Sequence, residues 1–344
     1  MTVSTSETTS ARTIRRYAVA IALAGAVIQL LLGVYYLAMA HSPQPHDLPV
    51  GLVATKQQAQ AITAQLESDG QFAVDHYDDP RELTTAIDRR EAYGGVTIVR
   101  GKPTLYVATA ASPAVANLLK VSYSQVYYEK LGTKAGPPKV VDVVPLPADD
   151  SAGSSLGFLI QALALGGSIA SLALGQLRKM TERSLLNGVR HASLLVGYAV
   201  LSAGVALVAM SFFGIGAGAD KWSLFWGFAL ISLAITASIA AAVALVGPAG
   251  TSLGMLYFTL GIIISGSSIA PEMLPTAGRV VGQLLPPGAG ATVVRDALYF
   301  PDASTTEPFV VLGLFAAVGL GVVLAKNAVA SLPRQRPASD AENG

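Results

Sequence analysis

The hydrophobic positions of this chain fall into two regimes. Between residues 41 and 150, apolar side chains come in short runs, at alternating or helical spacing, separated by charged turns. Elsewhere the runs are longer and continuous. Ser151–Leu177, Ser223–Pro271 and Pro308–Ala325 contain no Asp, Glu, Lys or Arg. A bilayer core takes roughly 20 apolar residues per helix, so each run is long enough to span. A helix packed on a soluble core would carry a polar stripe at every third or fourth position, and these do not.

The first apolar run, Tyr17–Ala40, follows Arg12, Arg15 and Arg16. Ala38-Met39-Ala40 has the small-residue form of a signal-peptidase site, but the run is longer than a signal core and predicts a retained helix. Further spans are expected at Ser155–Leu177 and Ala192–Gly214. The run Ser223–Pro271 is about twice one span, which predicts two helices turning at Gly247-Pro248-Ala249-Gly250. A last span from Glu307 to Ala325 brings the expected total to six transmembrane helices.

The intervening stretch reads as a small α/β (α+β) domain inserted between helices 1 and 2. Strands are expected at Leu48–Ala54, Gln71–Tyr77 and Val140–Val144, and helices at Lys56–Ser68 and Pro80–Ala92, the latter ended by Gly94-Gly95. A hairpin is expected from Val96–Arg100 and Thr104–Thr109 about Gly101-Lys102-Pro103, followed by a helix opened by Ser112-Pro113 and running to about Leu131.

Basic residues orient the chain. With the N-terminus inside, the inner segments carry Arg12, Arg15, Arg16, Arg178, Lys179, Arg183, Arg190, Lys326, Arg334 and Arg336, whereas the short outer loop has Lys221 and the long one Arg279 and Arg295. The positive-inside rule then favours both termini in the cytoplasm and the α/β domain outside. The expected organisation is a cytoplasmic tail (1–16, its first ten residues unordered), helix 1 (17–40), an extracytoplasmic domain (41–150), a five-helix membrane domain (151–330) and a cytoplasmic tail (331–344).

Composition removes several function classes. The 344 residues are 52% hydrophobic and 13% charged, against about 25% charged in soluble domains. A net charge of +1 gives no reason to expect nucleic acid. The absence of cysteine removes disulfides, thiolate catalysis and Cys-based metal sites. His41, His46, His76 and His191 form no metal spacing. Gly101-Lys102-Pro103 is a turn, since a phosphate loop would need Gly at Val96 and Ser or Thr at Pro103. No catalytic, cofactor or metal site is expected, and no ionisable pair within a span marks an ion path.

The segment 270–306 is too apolar for a simple connector and is broken at Pro271, Pro275, Pro286, Pro287 and Pro301. Two structures fit it: short helices dipping into the outer leaflet, with Arg279 and Arg295 reaching headgroups or Glu272 and Asp296, or an amphipathic connector on the surface. Gly250-x-x-x-Gly254 and Gly278-x-x-x-Gly282 permit close helix approach, though general packing explains them as readily.

This layout resembles the permease subunits of ABC-2-type transporters, in the branch of phage-infection-protein-like bacterial membrane proteins. The residues carrying the resemblance are Asp47-Leu48-Pro49-Val50, Arg89-Arg90-Glu91-Ala92-Tyr93-Gly94-Gly95, Thr104 to Pro113, Pro271-Glu272-Met273-Leu274-Pro275 and Leu285-Pro286-Pro287-Gly288-Ala289. The resemblance implies an exporter half driven by a separate ABC ATPase subunit, working as a homo- or heterodimer of permeases among membrane lipids, on an amphiphilic or envelope-related substrate. It sets Arg178, Lys179, Thr181, Glu182 and Arg183 where such permeases present an ATPase-coupling loop, a stretch that a plain topology signal would also produce. It makes Pro271, Glu272, Pro275, Pro286 and Pro287 an outer gate segment. The alternative reading is an envelope-anchored receptor or scaffold whose outer domain binds a partner. An embedded enzyme is disfavoured because no span holds a general acid, a base or a ligand set.

Overall fold

The computed structural model describes residues 4–41, 43–132, 136–179 and 184–330. It divides into two units, residues 1–43 and 44–344. The first contains one helix, α1 (Ser4–Ala40). It begins well before the expected Tyr17, since no Pro or Gly interrupts the stretch before Gly25.

The second unit opens with the α/β domain: β1 (Leu48–Val53), α2 (Lys56–Leu66), β2 (Phe72–His76), α3 (Pro80–Asp88), β3 (Gly94–Val99), β4 (Lys102–Val107), α4 (Pro113–Leu131) and β5 (Val140–Asp142). The sheet order is β2-β1-β3-β4-β5. β1 runs parallel to β2 and β3, β4 is antiparallel to β3, and β5 is parallel to β4. Parallel neighbours need helical crossovers, and α2, α3 and α4 supply them. Ser112 caps α4 as its sequence predicts, accepting from Val115 N at 3.3 Å.

Two local expectations are corrected. Gly94-Gly95 does not end α3 but opens β3. A Cβ on Gly94 would stand 2.5 Å from Tyr106 O, and one on Gly95 2.3 Å from Gly51 O, so close strand approach is what these glycines permit. The β3–β4 turn is Arg100-Gly101, with Val99 paired to Lys102 and left-handed φ values of 53° and 74°, so Lys102 and Pro103 belong to the strand.

Five stretches among the described residues are helical, long and apolar enough to cross a membrane: Thr13–Ala40, Ser154–Gly175, Leu185–Phe212, Lys221–Thr259 and Thr306–Val329. They belong to α1, α5 (Ser154–Lys179), α6 (Leu185–Phe212), α7 (Lys221–Val246) with α8 (Ser252–Thr259), and α12 (Thr306–Ala330). Ser184 caps α6, accepting from Asn187 N, and starts it before the expected Ala192, so His191 lies buried within the helix.

The fourth stretch, 39 residues long, folds back on itself at a 3-10 turn over Gly247–Thr251. Gly250 lies against the Ala242–Val243 backbone, Gly254 against Ile239, and the Tyr257 hydroxyl donates to Ser238 Oγ at 3.1 Å. That order of contacts is antiparallel. Helix continues through α9 (Gly261–Ile264) and stops short of the expected Pro271, because Gly266 takes a φ of +78°.

α7 is apolar on every side, and accordingly it sits at the centre of the bundle against α5, α6, α12 and α11 (Pro286–Tyr299). Phe228, Ile231 and Ile235 of α7 meet Ile160 of α5, Met210 of α6, Val293 of α11 and Leu312 of α12 in one apolar cluster. A second cluster is the core of the α/β domain, around Leu48, Leu83, Ile87, Leu105 and Val115. It does not end at the domain boundary: Ala270, Met273 and Phe300 complete it.

Candidate functional site

The site follows from how the chain between α9 and α12 is held. Helix stops at Ile264, and the turn Ser265-Gly266-Ser267 leaves backbone carbonyls facing inward. Buried carbonyls away from water need donors. Arg295, 6% exposed on α11, donates through one terminal nitrogen to Gly266 O and Ser267 O, both at 2.9 Å. Gln283 Nε2 donates to Ser265 O at 3.1 Å, and Thr292 Oγ1 donates to Gln283 Oε1 at 2.9 Å. The break is therefore lined by protein, and α11 is buried against the bundle over most of its length.

Four of the five prolines start elements rather than interrupt them, and Pro301 lies in the turn after α11 (Pro286–Tyr299). Pro271 opens a 3-10 turn ending at Met273, Pro275 precedes α10 (Thr276–Gln283), and Pro286 and Pro287 occupy the buried first turn of α11. Proline suits a first helical turn because its missing N–H has no partner there in any case. α10 turns Ala277, Val280, Val281 and Leu284 outward and buries Gly278 and Gly282.

From the α/β domain, three residues reach this segment. Arg90 forms an ion pair with Asp296 of α11, and its guanidinium carbon lies 5.8 Å from the centre of the Phe300 ring. The Tyr93 hydroxyl donates to Glu272 Oε2 at 2.5 Å. The His46 backbone N–H donates to Glu272 O at 2.8 Å, while its carbonyl accepts from Arg279 Nη1 at 3.1 Å. Of the gate residues read from sequence, Glu272 thus stands at the junction. Arg279 and Arg295 donate to backbone carbonyls, and neither pairs with Glu272 or Asp296.

Electrostatics at the junction follow from burial. Burial opposes the charge on Arg90, but Asp296 and Tyr93 outweigh it and hold the guanidinium above its ordinary value. Burial and then the neighbouring Arg90 push Arg295 down to about 10, which leaves it charged at neutral pH. Burial pushes the Asp296 carboxyl up, against the pull of Arg90. Tyr93 is pushed upward by burial and then by Glu272, so its hydroxyl stays a donor.

Arg90 and Tyr93 had no role in the sequence reading beyond family likeness, and no local spacing could have paired Arg90 with a residue 206 positions away. Of the expected coupling loop, Arg178 and Lys179 end α5, while Thr181, Glu182 and Arg183 lie outside the described residues. Among the described residues no group of three or more His, Asp or Glu side chains could hold a metal ion. What the junction offers is mechanical: an ion pair and hydrogen bonds that fasten the α/β domain to the α10–α11 segment of the helix bundle.

No curated protein and no solved structure matches this chain. The family model described as ABC-2 family transporter protein matches residues 20–325, nearly its whole length, so this multi-pass membrane protein belongs to the ABC-2 family of transporter permeases.

Proposed function

We propose that the protein is the permease subunit of an ABC-2-type exporter of the phage-infection-protein-like branch, working on an amphiphilic or envelope-related substrate with energy from a separate ATPase subunit. The observation carrying this reading is α11, a helix buried against α7 and fastened to a folded domain, because an anchor would have no use for such a segment. The path forms between two permease subunits. Six crossings complete the topology, with α7 and α8–α9 as an antiparallel pair. Both termini face the cytoplasm and the α/β domain lies outside, supported by the basic residues Arg178, Lys179, Arg190 and Lys326 on one side. α8 and α9 give about 20 Å of helix at 1.5 Å per residue, and the extended turn before Pro271 covers the remaining depth.

Energy enters at the loop from Arg178 to Arg183, where cationic side chains meet the ATPase. The test is recovery of partners from native membrane in mild detergent, with mass spectrometry. Recovery of an ATP-binding subunit, lost when Arg178, Lys179 and Arg183 are all changed to Ala, supports the reading. Recovery of envelope proteins alone, with no ATPase under crosslinking, overturns it in favour of the scaffold.

A further inference from the structure

The residue that fastens the domain to α11 sits in a backbone position better suited to glycine. Arg90 follows α3 with a left-handed φ of 58°. Arg90 N donates to Ile87 O and Glu91 N to Ala86 O, both at 2.9 Å. This pair of bonds is the helix-ending motif whose left-handed residue is usually glycine, since a Cβ is strained there. Non-glycine residues held in that region persist where the surroundings enforce them, often where a switch is built. Here the side chain is what the strain retains: the guanidinium leaves its own domain to meet Asp296 and the face of Phe300.

The other contacts of the segment sort by kind. Thr292 with Gln283, Gln283 with Ser265, and Arg295 with Gly266 and Ser267 bind it to itself as one body. Against α7 it packs with small and apolar groups, Gly290 on Ile231 and Val293 on Gly227. Such contacts slide more readily than directional ones. Polar links from the segment to the α/β domain run through Arg90, Tyr93 and His46.

We propose that Arg90 is a clasp residue, through which the α/β domain holds the α10–α11 body shut against α7, so that movement of the domain opens the bundle at that face. Calling the opened face part of a transport path rests on the permease reading, but the clasp itself needs neither an ATPase nor an orientation.

The chain contains no cysteine, so single cysteines report without background. The full chain, in lipid nanodiscs accessible from both sides, would carry Ala291→Cys on α11 (0% exposed) or Ala270→Cys under the domain (1% exposed), with Val121→Cys on α4 (59% exposed) as the reference. Maleimide labelling is timed in each. With Arg90 present, the cysteine at 291 should be protected. Arg90→Gly, which removes the clasp while relieving the backbone, should raise its labelling rate by about tenfold or more, given how costly a broken buried pair is. Arg90→Lys should restore protection in part, and limited proteolysis should show the domain intact. Asp296→Asn is the second variant, with the same expectation. Protection at 291 that survives both Arg90→Gly and Asp296→Asn overturns the proposal, as does labelling that rises at 270 alone, which would mean that the domain lifts while α11 stays. Neither result would bear on whether an ATPase is recruited.

Discussion

Gly282 of α10 faces the carbonyl of Ile264 so closely that a Cβ at residue 282 would stand 1.8 Å from the oxygen. The contact joins the end of α9 to the α10–α11 body, and no flexible side-chain end can give way, because the obstacle is backbone. Gly282→Ala must therefore push α10 away. Overpacking of this kind costs about 1–3 kcal/mol. Thermal unfolding in detergent should show a lowered midpoint for Gly282→Ala, and no comparable loss for Gly313→Ala on α12, where nothing lies within 4 Å of the added carbon.

Arg295 replaces the donors that a continuous helix would have given Gly266 and Ser267. Arg295→Met keeps apolar bulk but leaves both carbonyls without that partner, each at about 1–3 kcal/mol. Hydrogen exchange followed by mass spectrometry should show faster exchange across residues 264–270 in the variant, while β1 and β3 of the α/β domain keep their protection. Unchanged exchange at the turn would mean that water or neighbouring groups serve these carbonyls equally well.

Tyr93→Phe tests the second link on its own, at nearly constant shape. A hydrogen bond to a charged group contributes about 1.5–3 kcal/mol, and Glu272 would lose this one. Because burial raises the Tyr93 hydroxyl above its ordinary value, the phenol stays protonated. The stabilisation is fully present below the ordinary tyrosine value near 10 and would fade only as pH rises above it. The difference in unfolding midpoint between Tyr93→Phe and the parent should therefore stay level from about pH 6 to 9.

What was legible in the sequence was what local physics encodes. The long charge-free runs became the apolar helices, and Pro80 and Ser112-Pro113 became real helix starts because cap and first-turn chemistry are local. Gly94-Gly95 misled because glycine marks a helix end and a close strand approach alike; α3 instead ends on strained Arg90, which no helix-stop pattern anticipates. The length of Ser223–Pro271 implied two helices, but where the second stops depended on Arg295 and Gln283, distant residues that make a buried turn tolerable. The Arg90–Asp296 pair was beyond reach for the same reason: it is a tertiary contact, written in neither residue's neighbourhood.

The α3 helix that carries Arg90 at its end is capped at its start by Asp79, and that cap titrates. Asp79 Oδ1 accepts from Arg81 N at 2.7 Å and from Glu82 N at 3.0 Å. The bonds from Glu82 and Arg81 favour the ionised form and hold the Asp79 carboxyl below its ordinary value. A depressed carboxyl stabilises the folded state above its unfolded value, and the stabilisation is lost as pH falls through the folded one. Asp79→Asn keeps a good cap that does not titrate. At neutral pH the parent should unfold at the higher temperature, because a charge at a helix start adds to the cap. As pH falls below about 4 the advantage should shrink and disappear, since protonation removes the charge that Asn never had. The measurement is the difference in unfolding midpoint between the two chains from neutral pH down to acid. A gap that stays constant would mean that Asp79 caps α3 by geometry alone, with its charge contributing nothing to the element that ends at the clasp.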